Sequence, residues 1–216
     1  MILKKDYLKN TNLILYQEKE KYHFNSDSCL LGEFIKINRK DSVLDIGCNT
    51  GVLLLYASQF KPNKLVGIDL FDEVLEITKL NFIANNVDAK LYKSRIQDFK
   101  YDNFDKIICN PPYFHSLNKK VLNENIYIQA ARHEVNLQMD ELFKSVNRLL
   151  KDNGSFYYVH RPFELNRIQE NLMNTRLRIK RLQIYYDKNT SKARTICMEI
   201  VKGTSTDIQI EEPVYI

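Results

Sequence analysis

The chain has 216 residues, 44% of them hydrophobic and 27% charged, and a formal net charge of +5. That is enough apolar material for one domain with a sizeable core, and it excludes wholesale disorder. No run approaches the roughly 18 apolar residues that a membrane span needs. Residues 1–20 mix charged and apolar positions without the apolar stretch of a secretory signal, so a cytoplasmic protein is expected. The four cysteines, Cys29, Cys48, Cys109 and Cys197, form no CxxC pair and no zinc spacing, so reduced core thiols are expected and no metal.

From Asp41 onward the pattern is strand, turn, helix, repeated. Ser42–Ile46 is a short apolar run stopped by Gly47, and residues 50–60 then have helical spacing. Lys64–Asp69 reads as a second strand. A helix follows over residues 72–85, with Val74, Leu75, Thr78, Leu80 and Phe82 on one face, Asp72 as its expected N-cap and Asn85-Asn86 as its stop. Residues 89–92 read as a third strand and 105–109 as a fourth, ended by two prolines that cannot continue a ladder. Residues 113–133 have no period and read as a long loop. An amphipathic helix is expected over 137–150, closed by Asn153-Gly154, then a strand over 155–160 and a helix over 163–174. Residues 181–186 and 195–201, joined by a turn at 187–192, read as a closing hairpin. Alternating strands and helices imply an α/β layered, mostly parallel sheet in a single domain spanning 1–216, with one antiparallel strand from the final hairpin.

The first strand ends in Asp45-Ile46-Gly47-Cys48-Asn49-Thr50-Gly51. Glycines at the carboxyl end of a strand let the backbone approach a ligand closely. The spacing is D-x-G-x-x-x-G rather than G-x-G-x-x-G, and no Walker lysine follows, which disfavours a nucleoside triphosphate. The second strand ends in Asp69, where a carboxylate can accept from both hydroxyls of a ribose. Asp98 follows the third strand, where an acid can accept from an adenine amino group. Any one of these acids alone is an ordinary surface charge. Three successive strand ends, each with an acid in place, form a pattern.

With those residues in hand, 42–203 resembles the class I S-adenosylmethionine-dependent methyltransferases. The resemblance implies a Rossmann-like fold with a seven-stranded sheet of order 3-2-1-4-5-7-6, the last strand antiparallel. It implies S-adenosylmethionine as cofactor, with Gly47, Asn49 and Gly51 against its methionine part, Asp69 and Leu70 at the ribose and Asp98 near adenine. Asp45, Asn110 and the lid residues Asp27 and Leu31 complete the implied cofactor contacts. In this arrangement residues 1–41 supply a lid and substrate segment, 42–203 the catalytic core and 204–216 a tail.

Asn110-Pro111-Pro112-Tyr113 directly follows the fourth strand. A planar amine conjugated to a ring, or an amide nitrogen, is a poor nucleophile because its lone pair is delocalised. The Asn110 side-chain oxygen and the Pro111 carbonyl can accept its two N–H bonds and favour the pyramidal, attacking form. The prolines hold those acceptors in place before substrate arrives, and Tyr113 offers a flat face for stacking. This quartet resembles that of methyltransferases acting on adenine N6, guanine N2 or protein glutamine, and does not choose among them.

Outside the core, Phe24-Asn25-Ser26-Asp27-Ser28-Cys29-Leu30-Leu31-Gly32, Ala131-Arg132-His133-Glu134, Lys192-Ala193-Arg194, Val201-Lys202-Gly203 and Glu212-Pro213-Val214-Tyr215-Ile216 resemble the bacterial tRNA1(Val) adenine-37 N6-methyltransferase group. That resemblance implies a tRNA anticodon loop as partner, met by a monomer. Charge is compatible with it. Residues 148–203 carry twelve Lys and Arg against five Asp and Glu, which leaves the rest of the chain slightly negative. A polyanion contacted by the C-terminal third and a merely solubilising surface explain this equally well. The residues singled out for RNA are Lys119, Lys120, Arg132 and His133 in the long loop, and Arg178, Arg181 and Arg194 beyond it. The rivals are a protein-glutamine methyltransferase, whose usual N-terminal helical domain is not expected in the roughly 40 residues before the first strand, a guanine-N2 rRNA enzyme, a DNA adenine methyltransferase, and an inactive RNA-binding relative.

Overall fold

Each apolar run read as a strand forms one in the computed structural model, which describes residues 3–18, 26–111, 138–203 and 207–216. Strands β1 (Leu3–Tyr7) and β2 (Ile14–Glu18) come first, then helix α1 (Ser26–Phe34). The alternating core follows as β3 (Ser42–Ile46), α2 (Val52–Ser58), β4 (Lys64–Asp69), α3 (Asp72–Ala84), β5 (Lys90–Lys93) and β6 (Phe104–Cys109). Helix α4 (Met139–Leu149) runs straight into β7 (Leu150–His160). A 3-10 turn at Pro162–Glu164 opens α5 (Leu165–Met173), and the chain closes with β8 (Leu177–Tyr186), β9 (Ala193–Lys202), β10 (Gln209–Ile210) and β11 (Val214–Tyr215).

The main sheet runs β5-β4-β3-β6-β7-β9-β8. Numbered by appearance within the core, that is the expected 3-2-1-4-5-7-6 order. β9 lies antiparallel to both neighbours, and the remaining core neighbours are parallel. The strand count differs from expectation: β10 and β11 pair in parallel with β8, making nine strands rather than seven. Glu211 N–H donates to the Leu182 carbonyl at 2.9 Å and Ile216 N–H to that of Tyr186 at 2.8 Å. Pro213, which has no N–H, divides the two short strands.

β3 sits between β4 and β6 and is buried along its whole length. A strand covered on both faces needs a continuous apolar run, and successive side chains go to opposite faces. Val43 accordingly joins a core with Leu31, Phe34, Leu54 and Leu55 from α1 and α2. Leu44 joins a second with Phe143, Val146, Ile168 and Leu172 from α4 and α5. All four cysteines are buried and unlinked.

Several boundaries differ from the sequence reading. The N-cap of α3 is Phe71 and not Asp72, because the Leu75 N–H bonds the Phe71 carbonyl at 3.1 Å and starts the helix one residue earlier. Asn85 is its C-cap, as expected. α4 ends at Leu149, so Asn153-Gly154 does not close it. Those residues lie where the β6–β7 ladder shifts register, between the Phe104↔Leu150 and Lys106↔Ser155 pairs, and Asn153 has φ 63°.

The β1–β2 hairpin was not legible. It docks through side chains of α3 that imitate a neighbouring strand. Asn85 exchanges two hydrogen bonds with the Ile14 backbone, at 2.8 and 2.7 Å, and Asn81 does the same with Tyr16, at 2.6 and 2.9 Å. Among the described residues no helix is long and apolar enough to cross a membrane, and no group of side chains could hold a metal ion.

Candidate active site

Parallel strands end together, so the turns after β3, β4, β5 and β6 share one rim of the sheet. In the first turn Gly47 has φ 68°, a conformation in which side chains are strained, and its N–H reaches the Ile68 carbonyl at 2.9 Å. A Cβ added to Gly47 would meet nothing within 4 Å, so the space beside it is open. Gly51 differs: it has φ 84°, and its Cβ would lie 2.9 Å from both Phe82 and Thr78. Gly47 borders a cradle, while Gly51 lets α2 pack against α3. Asn49, exposed and at φ 46°, completes the turn.

Asp69 closes β4 with only 5% exposure. Its carboxylate accepts from Asn49 N–H at 3.0 Å, Leu70 N–H at 2.7 Å and Phe71 N–H at 3.2 Å. It therefore ties the first two turns together. Leu70 is half-buried beside it. The β5 turn is held to the same strand end by Ser94 N–H on the Asp69 carbonyl, 3.0 Å. Asp98, in that turn, is exposed.

Asp45 is the unusual acid. It is wholly buried, and neither carboxylate oxygen has a hydrogen-bond partner among the described residues. Burial, and secondarily the charge of Asp69, push its carboxyl well above the usual carboxylate range. An isolated buried carboxylate is costly, and a positive group brought beside the turn relieves that cost. The open cradle at Gly47, the uncompensated acid behind it and the Asp69 carboxylate at the next strand end suit a ligand with a cation at one end and a ribose at the other. S-adenosylmethionine has both.

Two of the expected cofactor contacts lie in the interior. Leu31 is 0% exposed and packs in the core. Asp27, 2% exposed, is spent on the protein: it pairs with the Arg161 guanidinium at 3.1 Å and accepts from the Thr195 hydroxyl at 2.8 Å. Arg161 also donates to Thr195 Oγ1 at 3.0 Å, which closes a triangle between α1, the end of β7 and the start of β9. The described part of the expected lid is therefore a buried helix locked to the sheet.

Asn110 stands immediately after β6, half-buried, and its Nδ2 donates to Ser28 Oγ at 2.8 Å. Pro111 beside it is also half-buried. Pro112 and Tyr113 lie outside the described residues, as do Lys119, Lys120, Arg132 and His133. Ser28 is not among the site residues read from the sequence, and Arg161 enters there only as part of the wider basic surface offered to RNA. The one signal for Arg161 is its place at the end of a strand, and for Ser28 there is none beyond its motif.

Of the arginines expected to face RNA, Arg178 and Arg194 are exposed. Arg178 leans on the Thr175 and Leu177 carbonyls, at 2.9 and 2.7 Å. Arg181 is corrected. It is 6% exposed, pairs with buried Glu199 at 2.9 Å, donates to the Phe34 carbonyl at 3.0 Å and lies 3.8 Å from the Phe34 ring centroid. Along the first half of β8 burial alternates, with Leu177, Ile179 and Arg181 buried and Arg178 and Lys180 exposed.

The methyltransferase small domain family matches residues 21–183, and the chain belongs to it. Its cofactor is S-adenosylmethionine. Curated relatives include the tRNA1(Val) (adenine(37)-N6)-methyltransferase of Cytophaga hutchinsonii, 28% identical over 186 residues (83% of this chain, 77% of the relative). Another, from Dyadobacter fermentans, is 28% identical over 199 residues (87% and 79%). A third, from Aliivibrio salmonicida, is 30% identical over 139 residues (62% and 58%). Among solved structures, a methyltransferase from Pyrococcus furiosus superposes with a TM-score of 0.68 at 17% identity, covering 91% of this chain and 92% of that one. The tRNA m1G37 methyltransferase of M. jannaschii gives 0.66 at 13% identity, covering 94% and 55%. At those identities the structures speak for the fold.

Proposed function

We propose that the chain methylates the N6 amine of an adenine in tRNA, with adenine-37 of tRNA1(Val) as the target. The observation that carries the reaction type is the placement of Asn110 at the end of β6, its nitrogen engaged by Ser28, beside the β3 and β4 turns. The relatives' names supply the nucleic acid and the position. Bound in the cradle, the sulfonium of S-adenosylmethionine supplies an activated methyl group.

The chain's own work is to hold the acceptor. The Asn110 oxygen and the Pro111 carbonyl accept from the adenine amine, draw its lone pair out of conjugation and align it for attack. No strong base is needed, since the proton leaves after the nitrogen has become cationic. A target beside the anticodon is cheap to take out of its stack, and Tyr113 is assigned to stack on it. Arg178 and Arg194, with Lys119, Lys120, Arg132 and His133, are assigned to the RNA.

The test is incubation of bulk tRNA with the protein and labelled cofactor, followed by mass spectrometry of the nucleosides. Labelled N6-methyladenosine is expected. Label confined to protein glutamine, or to guanosine, overturns the substrate assignment.

A further inference from the structure

We infer that Ser28 is a positioning residue for methyl transfer, one that orients the Asn110 carboxamide for the incoming amine. This rests on the reading of Asn110 as the group that accepts the substrate N–H bonds.

A carboxamide is planar, with a donor on one side and an acceptor on the other. Only its oxygen helps a substrate amine; turned over, it presents N–H to N–H. Nothing covalent distinguishes the two orientations, so a neighbouring group has to. A serine hydroxyl can accept from the amide nitrogen or donate to its oxygen; in the structure it accepts from Nδ2 at 2.8 Å, the arrangement in which the oxygen points away from Ser28.

The anchor is rigid. Ser28 is 8% exposed and sits in the first turn of α1. The residue before it, Asp27, is clamped by Arg161 at 3.1 Å and Thr195 at 2.8 Å. Further along the helix, the Leu30 carbonyl accepts from the Tyr185 hydroxyl at 3.4 Å and the Phe34 carbonyl from Arg181 at 3.0 Å. Strands β7, β8 and β9 thus fix the hydroxyl, and the hydroxyl fixes the amide. Catalytic geometry has to be held to fractions of an ångström, and support of this kind supplies it.

Ser28→Ala removes the hydroxyl, and Ser28→Cys replaces it by a weak hydrogen-bonding thiol of similar shape. Each is assayed as the full chain with S-adenosylmethionine and tRNA. The expected result is a fall in kcat of about tenfold or more, with KM for tRNA and cofactor affinity within about threefold. The discriminating measurement repeats both changes in an Asn110→Asp background. A carboxylate accepts through either oxygen, so orientation no longer matters and the Ser28 changes should cost little there. An unchanged kcat in the Asn110 background, or an equal loss in both backgrounds, overturns the proposal.

A second readout does not depend on turnover. The Asn110 side-chain amide resonance, assigned by its disappearance in Asn110→Asp, should shift when Ser28 loses its hydroxyl. If it stays in place, Ser28 does not hold the amide. Should the wild-type protein label glutamine instead of adenine, the substrate assignment falls, and the same variants are then compared on that substrate.

Discussion

Two buried carboxylates divide the molecule. Asp45, in the β3 half of the sheet, has no hydrogen-bond partner among the described residues, and burial pushes its carboxyl upward. Glu199, in the β8–β9 half, is also buried but holds Arg181 at 2.9 Å and Ser155 at 3.2 Å. Burial raises Glu199 too, but the Arg181 hydrogen bond and the charges of Lys180 and Arg181 outweigh it, and its carboxyl ends below the usual value. The same chemistry has opposite consequences. Where the sheet is scaffold, charge is satisfied within the chain; where it is site, charge is left for something else to satisfy.

The largest expected effect comes from breaking the satisfied pair. Arg181→Ala should destabilise the fold by about 3–5 kcal/mol, because it strands Glu199 and uncovers the Phe34 carbonyl. Chemical denaturation measures it; a loss below 1 kcal/mol, on the order of a surface substitution, would mean the pair contributes little. Next is Asp45→Asn, which should weaken cofactor binding by about tenfold or more, equivalent to 1.4 kcal/mol, without lowering the unfolding midpoint. Calorimetry that finds unchanged affinity would remove Asp45 from the site.

The two acids also predict opposite pH behaviour. Glu199 has its folded value below the ordinary 4.5, so its contribution is complete above that value and is lost as pH falls through the folded one. Asp45 has its folded value above the ordinary 3.8, so its contribution is present below that value and is lost as pH rises through the folded one. Asp45→Asn should therefore gain stability on the wild type as pH climbs from about 4, and saturating cofactor should narrow the gap. Parallel stability–pH curves for the two proteins would contradict this.

The smallest effect on stability is expected at the exposed arginines. Arg178→Glu and Arg194→Glu should each change it by no more than about 0.5 kcal/mol, while reducing tRNA affinity most strongly at low salt. A loss independent of salt would speak against phosphate contact.

The core strands and the turn glycines were readable because each depends on local pattern: apolar runs for buried parallel strands, and glycine where φ is positive; the order of the strands followed only from the family resemblance. The β1–β2 hairpin was hidden because its edge is satisfied by Asn81 and Asn85, residues that read as helix surface and helix stop. Arg181 was misread because composition counts charges without their direction, and alternation along β8 puts Arg181 among the buried positions. Ser28 was hidden for a related reason: its partner Asn110 lies 82 positions away, and only the fold brings them together.

The tail that lies along β8 has a further consequence. Without residues 207–216, β8 would be the outermost strand of the sheet, ten residues long, with backbone groups such as the Leu182 and Tyr186 carbonyls open to any other chain. Open margins of that kind recruit strands from neighbouring molecules. The tail acts as a sacrificial neighbour, and a shortened chain would be expected to self-associate before it lost its fold.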